Sequence, residues 1–136
     1  PDLTALPGLR KPQTQALQAA HERLCASQAG DLARLQHLGA HEALAAEDEA
    51  ALQQLCAAYL LLVSPTPQGD PVARFHLDNG ARLDRINGRG NMSAKGLRQS
   101  FGLMVNYLYD LERIEASHAR FRQGEVARSR AVASLL

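Results

Sequence analysis

The chain of 136 residues has no tryptophan, and aromatic side chains make up only 4% of it. So few rings leave no stacking platform for bases, and the charges supply no basic stripe either. Fifteen Lys/Arg stand against fourteen Asp/Glu, and the two signs alternate in stretches such as "RLDR" and "LERIE". Nucleic acid is therefore not an expected partner. Long hydrophobic runs are also missing. The longest, "LCAAYLLLV" from Leu55 to Val63, is too short to cross a bilayer and lacks signal-peptide flanks, so no membrane partner is expected. There is no CxxC motif. Cys25 and Cys56 sit inside helical patterns and are expected to be reduced core thiols of a cytoplasmic protein. His37 and His41 are four apart, but Gly39 separates them and no third ligand is near, so no metal site is expected. The sequence begins at Pro1, from which we expect either processing or a segment of a longer product.

What the chain does have is alanine and leucine, which cost little side-chain entropy in a helix. Its length suits one domain or part of one. Leu3 to Leu6 reads as the end of a strand, and "PG" after it as a turn. A helix is expected over Gln13 to Ala29, with Leu17, Ala20 and Leu24 on one face and Gly30 as the stop. A shorter one follows, capped by Asp31 and ended by Gly39. Glu47 to Val63 has the strongest helical pattern. Leu52, Leu55, Cys56, Tyr59, Leu60 and Val63 form one stripe behind an acidic first turn.

The stretch "DPVARFHLDNGARLDRIN", Asp70 to Asn87, is the most pointed in the chain. As a hairpin it would turn at Asn79-Gly80. As a helix it would be capped by Asp70, begin at Pro71, and end at Asn79-Gly80 in left-handed conformation. The helix accounts for both ends, so it is the expected element, with the strand "ARLDRIN" after it. From Ser93 onward, Leu97, Phe101, Met104, Leu108 and Leu111 keep a helical period to about Arg122. Within that segment "GLMVNYLY" also alternates like a strand, and pattern alone leaves both readings open.

The order of helix, "RFHLDNGARL" and strand resembles a signature of the acetyltransferase (GNAT) superfamily. The longer series "DPVARFHLDNGARLDRIN", "SAKGLRQS" and "GLMVNYLYDLERIE" is similar to the C-terminal part of malonyl-CoA decarboxylases, whose catalytic domain has the GNAT fold. The strongest match runs from Asp70 to Glu115, and "LTALPGL" is similar to the family's serine-containing "PIPGF" turn. The resemblance implies a helix-rich α/β (α+β) fold, with residues 1–136 forming one partial, C-terminal portion of a GNAT-like acyl-CoA domain. In the family, the strands that bind the CoA pyrophosphate and an N-terminal helical domain precede the serine turn.

The activity implied is decarboxylation of malonyl-CoA to acetyl-CoA and carbon dioxide, without metal or biotin. No cofactor is expected, since CoA enters as part of the substrate; self-association is a further expectation. By the resemblance, His76 protonates or steers the enolate, Thr4 supplies the hydroxyl usually given by serine, and Tyr109 orients the pair. Gly88 stands where the family has Trp, and Asn91 where it has an acid. Bland readings run beside these: a structural histidine at 76, an ordinary turn residue at 4, and half-buried amphipathic rings at Tyr107 and Tyr109. The alternative for the whole chain is a non-catalytic remnant acting as a small helical interaction module.

Overall fold

Among the residues that the computed structural model describes, 6, 8–28, 30, 32–37 and 44–136, the first regular element is α1, Lys11–Ser27. It buries the expected Leu17, Ala20 and Leu24, with Pro12 in its first turn, where no N–H partner is needed. The strand end expected at Leu3 to Leu6 and the proline of the "PG" turn lie outside the described residues, apart from Leu6, which belongs to no strand. The expected second, short helix is Leu32–His37, wound as a 3-10 helix. Its predicted boundaries, Asp31 and Gly39, fall outside the described residues. Leu35 is buried, and Gln36 Nε2 donates to the Arg98 carbonyl at 2.8 Å.

Helix α2, Ala46–Ala58, opens on Glu47, Asp48 and Glu49, opposing the positive end of its dipole. Arg23 of α1 ties the two helices together, 3.4 Å from Glu47 and 3.7 Å from Asp48. The helix predicted to run on to Val63 changes character at Tyr59. Tyr59–Val63 is a π-helical turn, whose wider winding lets the consecutive Leu60 and Leu61 both bury while Tyr59 stays exposed.

Helix α3, Pro71–Asp78, takes the helical reading over the hairpin. Asp70 Oδ2 accepts the Ala73 N–H at 2.9 Å. At the other end only Gly80 is left-handed, at φ +91°. Asn79 stays at φ −84° and spends its side chain on the Phe75 carbonyl. Gly80 N–H bonds Leu77 O and Ala81 N–H bonds His76 O, which together form a Schellman stop. A side chain at Gly80 would strike Ile114, since a Cβ there would lie 2.6 Å from both its Cγ2 and its carbonyl oxygen.

Strand β1, Arg82–Asn87, follows as expected. The ambiguous C-terminal segment resolves into three elements: α4, Ala94–Ser100; β2, Met104–Leu108; and α5, Ile114–Arg122. The helical period breaks because Phe101 and Gly102 are both left-handed, at φ +53° and +81°. β1 and β2 pair antiparallel, with a bulge at Asp84 between the Leu83↔Tyr107 and Arg85↔Asn106 pairs. The extra residue turns Ile86 to the same side as Leu83, so both reach the core. On the far edge of β1, Leu83 N–H bonds Ala127 O, and Ser129 Oγ bonds Asp84 O at 2.7 Å. Ser129 also caps the last helix, α6, Arg130–Ala133.

The fold is thus helix-rich α+β with a two-stranded sheet among the described residues. Its core joins Leu60 and Leu61 to Leu77 of α3, Leu83 and Ile86 of β1, Phe121 of α5, and Val126 and Val132. Neither cysteine is fully buried, contrary to the expectation of core thiols; Cys56 packs against this core from its edge. No helix among the described residues is long and apolar enough to cross a membrane.

Candidate active site

His76 lies in the last turn of α3, where the Schellman stop holds its own carbonyl. The facing element is β2. Side chains alternate along a strand, so Tyr107 and Tyr109, two apart, fall on one side, Tyr109 continuing the alternation one residue past the strand end. Both reach the imidazole. His76 Nδ1 and Tyr109 Oη are 2.6 Å apart, a short hydrogen bond. The Tyr107 ring lies nearly parallel to the imidazole, 19° off, with centroids 4.5 Å apart. Phe75 adds an edge contact at 5.3 Å. With three Phe and three Tyr in the whole chain, half of its aromatic rings lie against this one imidazole.

The site is open on one side. Phe75 is 64% exposed and Tyr109 41%, whereas Tyr107 is half-buried against the core. Burial, helped by the Asp70 carboxylate and by Cys56, pushes the Tyr107 phenol up to about 12. It therefore stays protonated near neutrality. Burial likewise pushes the Cys56 thiol up to about 11, which removes it as a nucleophile at neutral pH. A hydroxyl can accept from Nδ1–H or donate to a bare Nδ1, so Tyr109 keeps its partner in either ionisation state of the ring. Among the described residues Nε2 has no partner, and it is the nitrogen left free for proton exchange.

Of the residues singled out in the sequence, His76 and Tyr109 come together, while Thr4 lies outside the described residues. His41 and the His37 side chain lie outside them too. Tyr107 was read only as a half-buried ring; the Tyr-x-Tyr alternation was the signal that it shares a face with Tyr109. His118 bonds the Asp78 carbonyl and so clamps α5 to the end of α3. The apolar cleft beside Gly88, Arg89 and Met92 has room for about one water molecule, and neither His76 nor its two tyrosines line it.

Residues 2–136 match a family model described as the malonyl-CoA decarboxylase C-terminal domain. A relative from Anser anser anser, "Malonyl-CoA decarboxylase, mitochondrial", is 45% identical over 71 residues, covering 52% of this chain and 14% of its own length. The protein of the same name from Rattus norvegicus is 49% identical over 72 residues, 52% of this chain and 15% of its own. Among solved structures, malonyl-CoA decarboxylase from Cupriavidus metallidurans aligns with a TM-score of 0.69 at 35% identity, over 87% of this chain and 31% of that one. The enzyme from Rhodopseudomonas palustris aligns with a TM-score of 0.61 at 41% identity, over 98% and 29%. The chain therefore spans under a third of these solved structures and a still smaller share of the curated relatives.

Proposed function

The chain belongs to the malonyl-CoA decarboxylase family, in its C-terminal domain, and from that premise we propose that the protein carrying it converts malonyl-CoA to acetyl-CoA and carbon dioxide. The bond between the α carbon and the carboxylate breaks, and its electron pair passes through the α carbon onto the thioester oxygen as an enolate. Carbon dioxide departs. The charged His76 ring then gives its Nε2 proton to the α carbon, and the neutral ring that remains keeps Nδ1–H bonded to Tyr109. Water restores the lost proton. An imidazole suits this cycle because it can both hold and release a proton near neutral pH.

The observation that carries this reading is the 2.6 Å pairing of His76 with Tyr109, which engages one ring nitrogen and leaves the other for substrate. Thr4 completes the proposal as donor to the thioester or carboxylate oxygen, a role resting on its motif alone. One fixed donor to a developing oxyanion contributes about 3 kcal/mol. The GNAT-type fold of the whole domain, and CoA entering as part of the substrate, belong to the same proposal. So does a cytoplasmic location, although the goose and rat relatives are named as mitochondrial.

Incubation with malonyl-CoA tests it. Equimolar carbon dioxide and acetyl-CoA are the expected products. A second reading, a non-catalytic interaction module, is favoured by Gly88 and Asn91, which stand where the family has Trp and an acid. Under that reading malonyl-CoA yields no carbon dioxide, and calorimetric titration with CoA gives no heat.

A further inference from the structure

We infer that Tyr107 is a positioning residue, a flat shelf that sets the plane of the His76 imidazole for the proton transfer proposed above. The terminal torsion of a histidine side chain is broad, so a half-exposed imidazole turns easily about it. A single hydrogen bond at Nδ1 fixes one atom and leaves the ring free to pivot. A second constraint on its face removes the pivot. Tyr107 supplies that constraint at 4.5 Å and 19°, from a ring that cannot itself move far. It sits opposite the fully buried Leu83 on β1 and packs against the core. Phe75, at 64% exposure, lacks such backing. With the plane and Nδ1 both held, the direction of Nε2 is held too, and productive proton transfer depends on that alignment.

The inference rests on the decarboxylase reading, but its test needs no substrate, so the two fail separately. Nuclear magnetic resonance of the ¹⁵N-labelled chain reads the ring directly. In the unaltered protein, the His76 carbon-bound ring protons are expected upfield of those of the other histidines, through the Tyr107 ring current, and Nδ1 is expected to show a hydrogen-bonded signature. Tyr107→Phe keeps the flat ring and should retain both. Tyr107→Leu, with amide dispersion confirming the fold, should lose the Nδ1 signature as well as the upfield shift. A folded Tyr107→Leu protein with Nδ1 unchanged would overturn the inference. Should that variant not fold, the unaltered protein still decides: ring protons without the upfield shift would overturn it, and their presence together with retention in Tyr107→Phe would uphold it.

Discussion

At the scale of single residues, the site is defined by what surrounds one imidazole. Removing the phenolic oxygen with Tyr109→Phe deletes the partner of Nδ1 and leaves the ring stack in place. A net hydrogen bond of this kind is worth about 1 kcal/mol, so turnover of malonyl-CoA by the protein carrying this segment should fall roughly fivefold with the fold intact. Steady-state kinetics check this, and unchanged turnover would remove Tyr109 from the site. Cys56 gives a second residue-scale test. With its thiol pushed up to about 11 from an ordinary 9.0, its thiolate fraction at pH 7 is about a hundredfold below that of a free thiol. Timed alkylation followed by peptide mass spectrometry should find Cys56 slower than a model thiol by a similar factor. His76 and Tyr109 were legible in the sequence through the motif around them. Tyr107 was not, because an aromatic residue at a half-buried strand position is usually packing; only the geometry of the stack distinguishes it.

At the scale of elements, α3 is the part of the fold that the sequence described best, since both its ends carry side chains of specific chemistry. Asp70→Ala should cost about 1 kcal/mol through the lost cap. Gly80→Ala should cost more, about 2–4 kcal/mol. It combines a left-handed backbone with a contact on Ile114 that the chain must move to relieve. Urea denaturation measures both, and a Gly80→Ala loss smaller than that of Asp70→Ala would contradict this packing. The segment after Ser93 was illegible for a physical reason. Helical and alternating periods coincide there, and the break falls at Phe101, a residue type that rarely adopts positive φ. The Asp84 bulge and the π-helical turn at Tyr59 were hidden as well, because each depends on which faces the rest of the core leaves to be filled.

At the scale of the whole molecule, two partly buried acids, Cys56 and the Tyr107 that stacks on His76, couple ionisation to folding. Cys56 and Tyr107 both titrate higher in the fold than their ordinary values of 9.0 and 10.0, because burial penalises their anions. Their unfolded forms therefore release protons first as pH rises. The stability they contribute is fully present below pH 9; that of Cys56 is lost between 9 and about 11, and that of Tyr107 between 10 and about 12. The Cys56 share amounts to up to about 3 kcal/mol. Urea midpoints should fall from pH 8 to pH 10.5, and the fall should be shallower in Cys56→Ala; parallel curves would refute the assignment to Cys56. Tyr107 backs a site that is open on its other side, in a chain spanning under a third of the two solved structures described above. The central claim is that this site's imidazole handles the proton in decarboxylation. Its most direct measurement is kcat for carbon dioxide release from malonyl-CoA by the protein carrying this segment, unaltered and as His76→Ala. The account predicts a loss of about a hundredfold or more in kcat, with the fold retained by circular dichroism; turnover within a few-fold of the unaltered protein would contradict it.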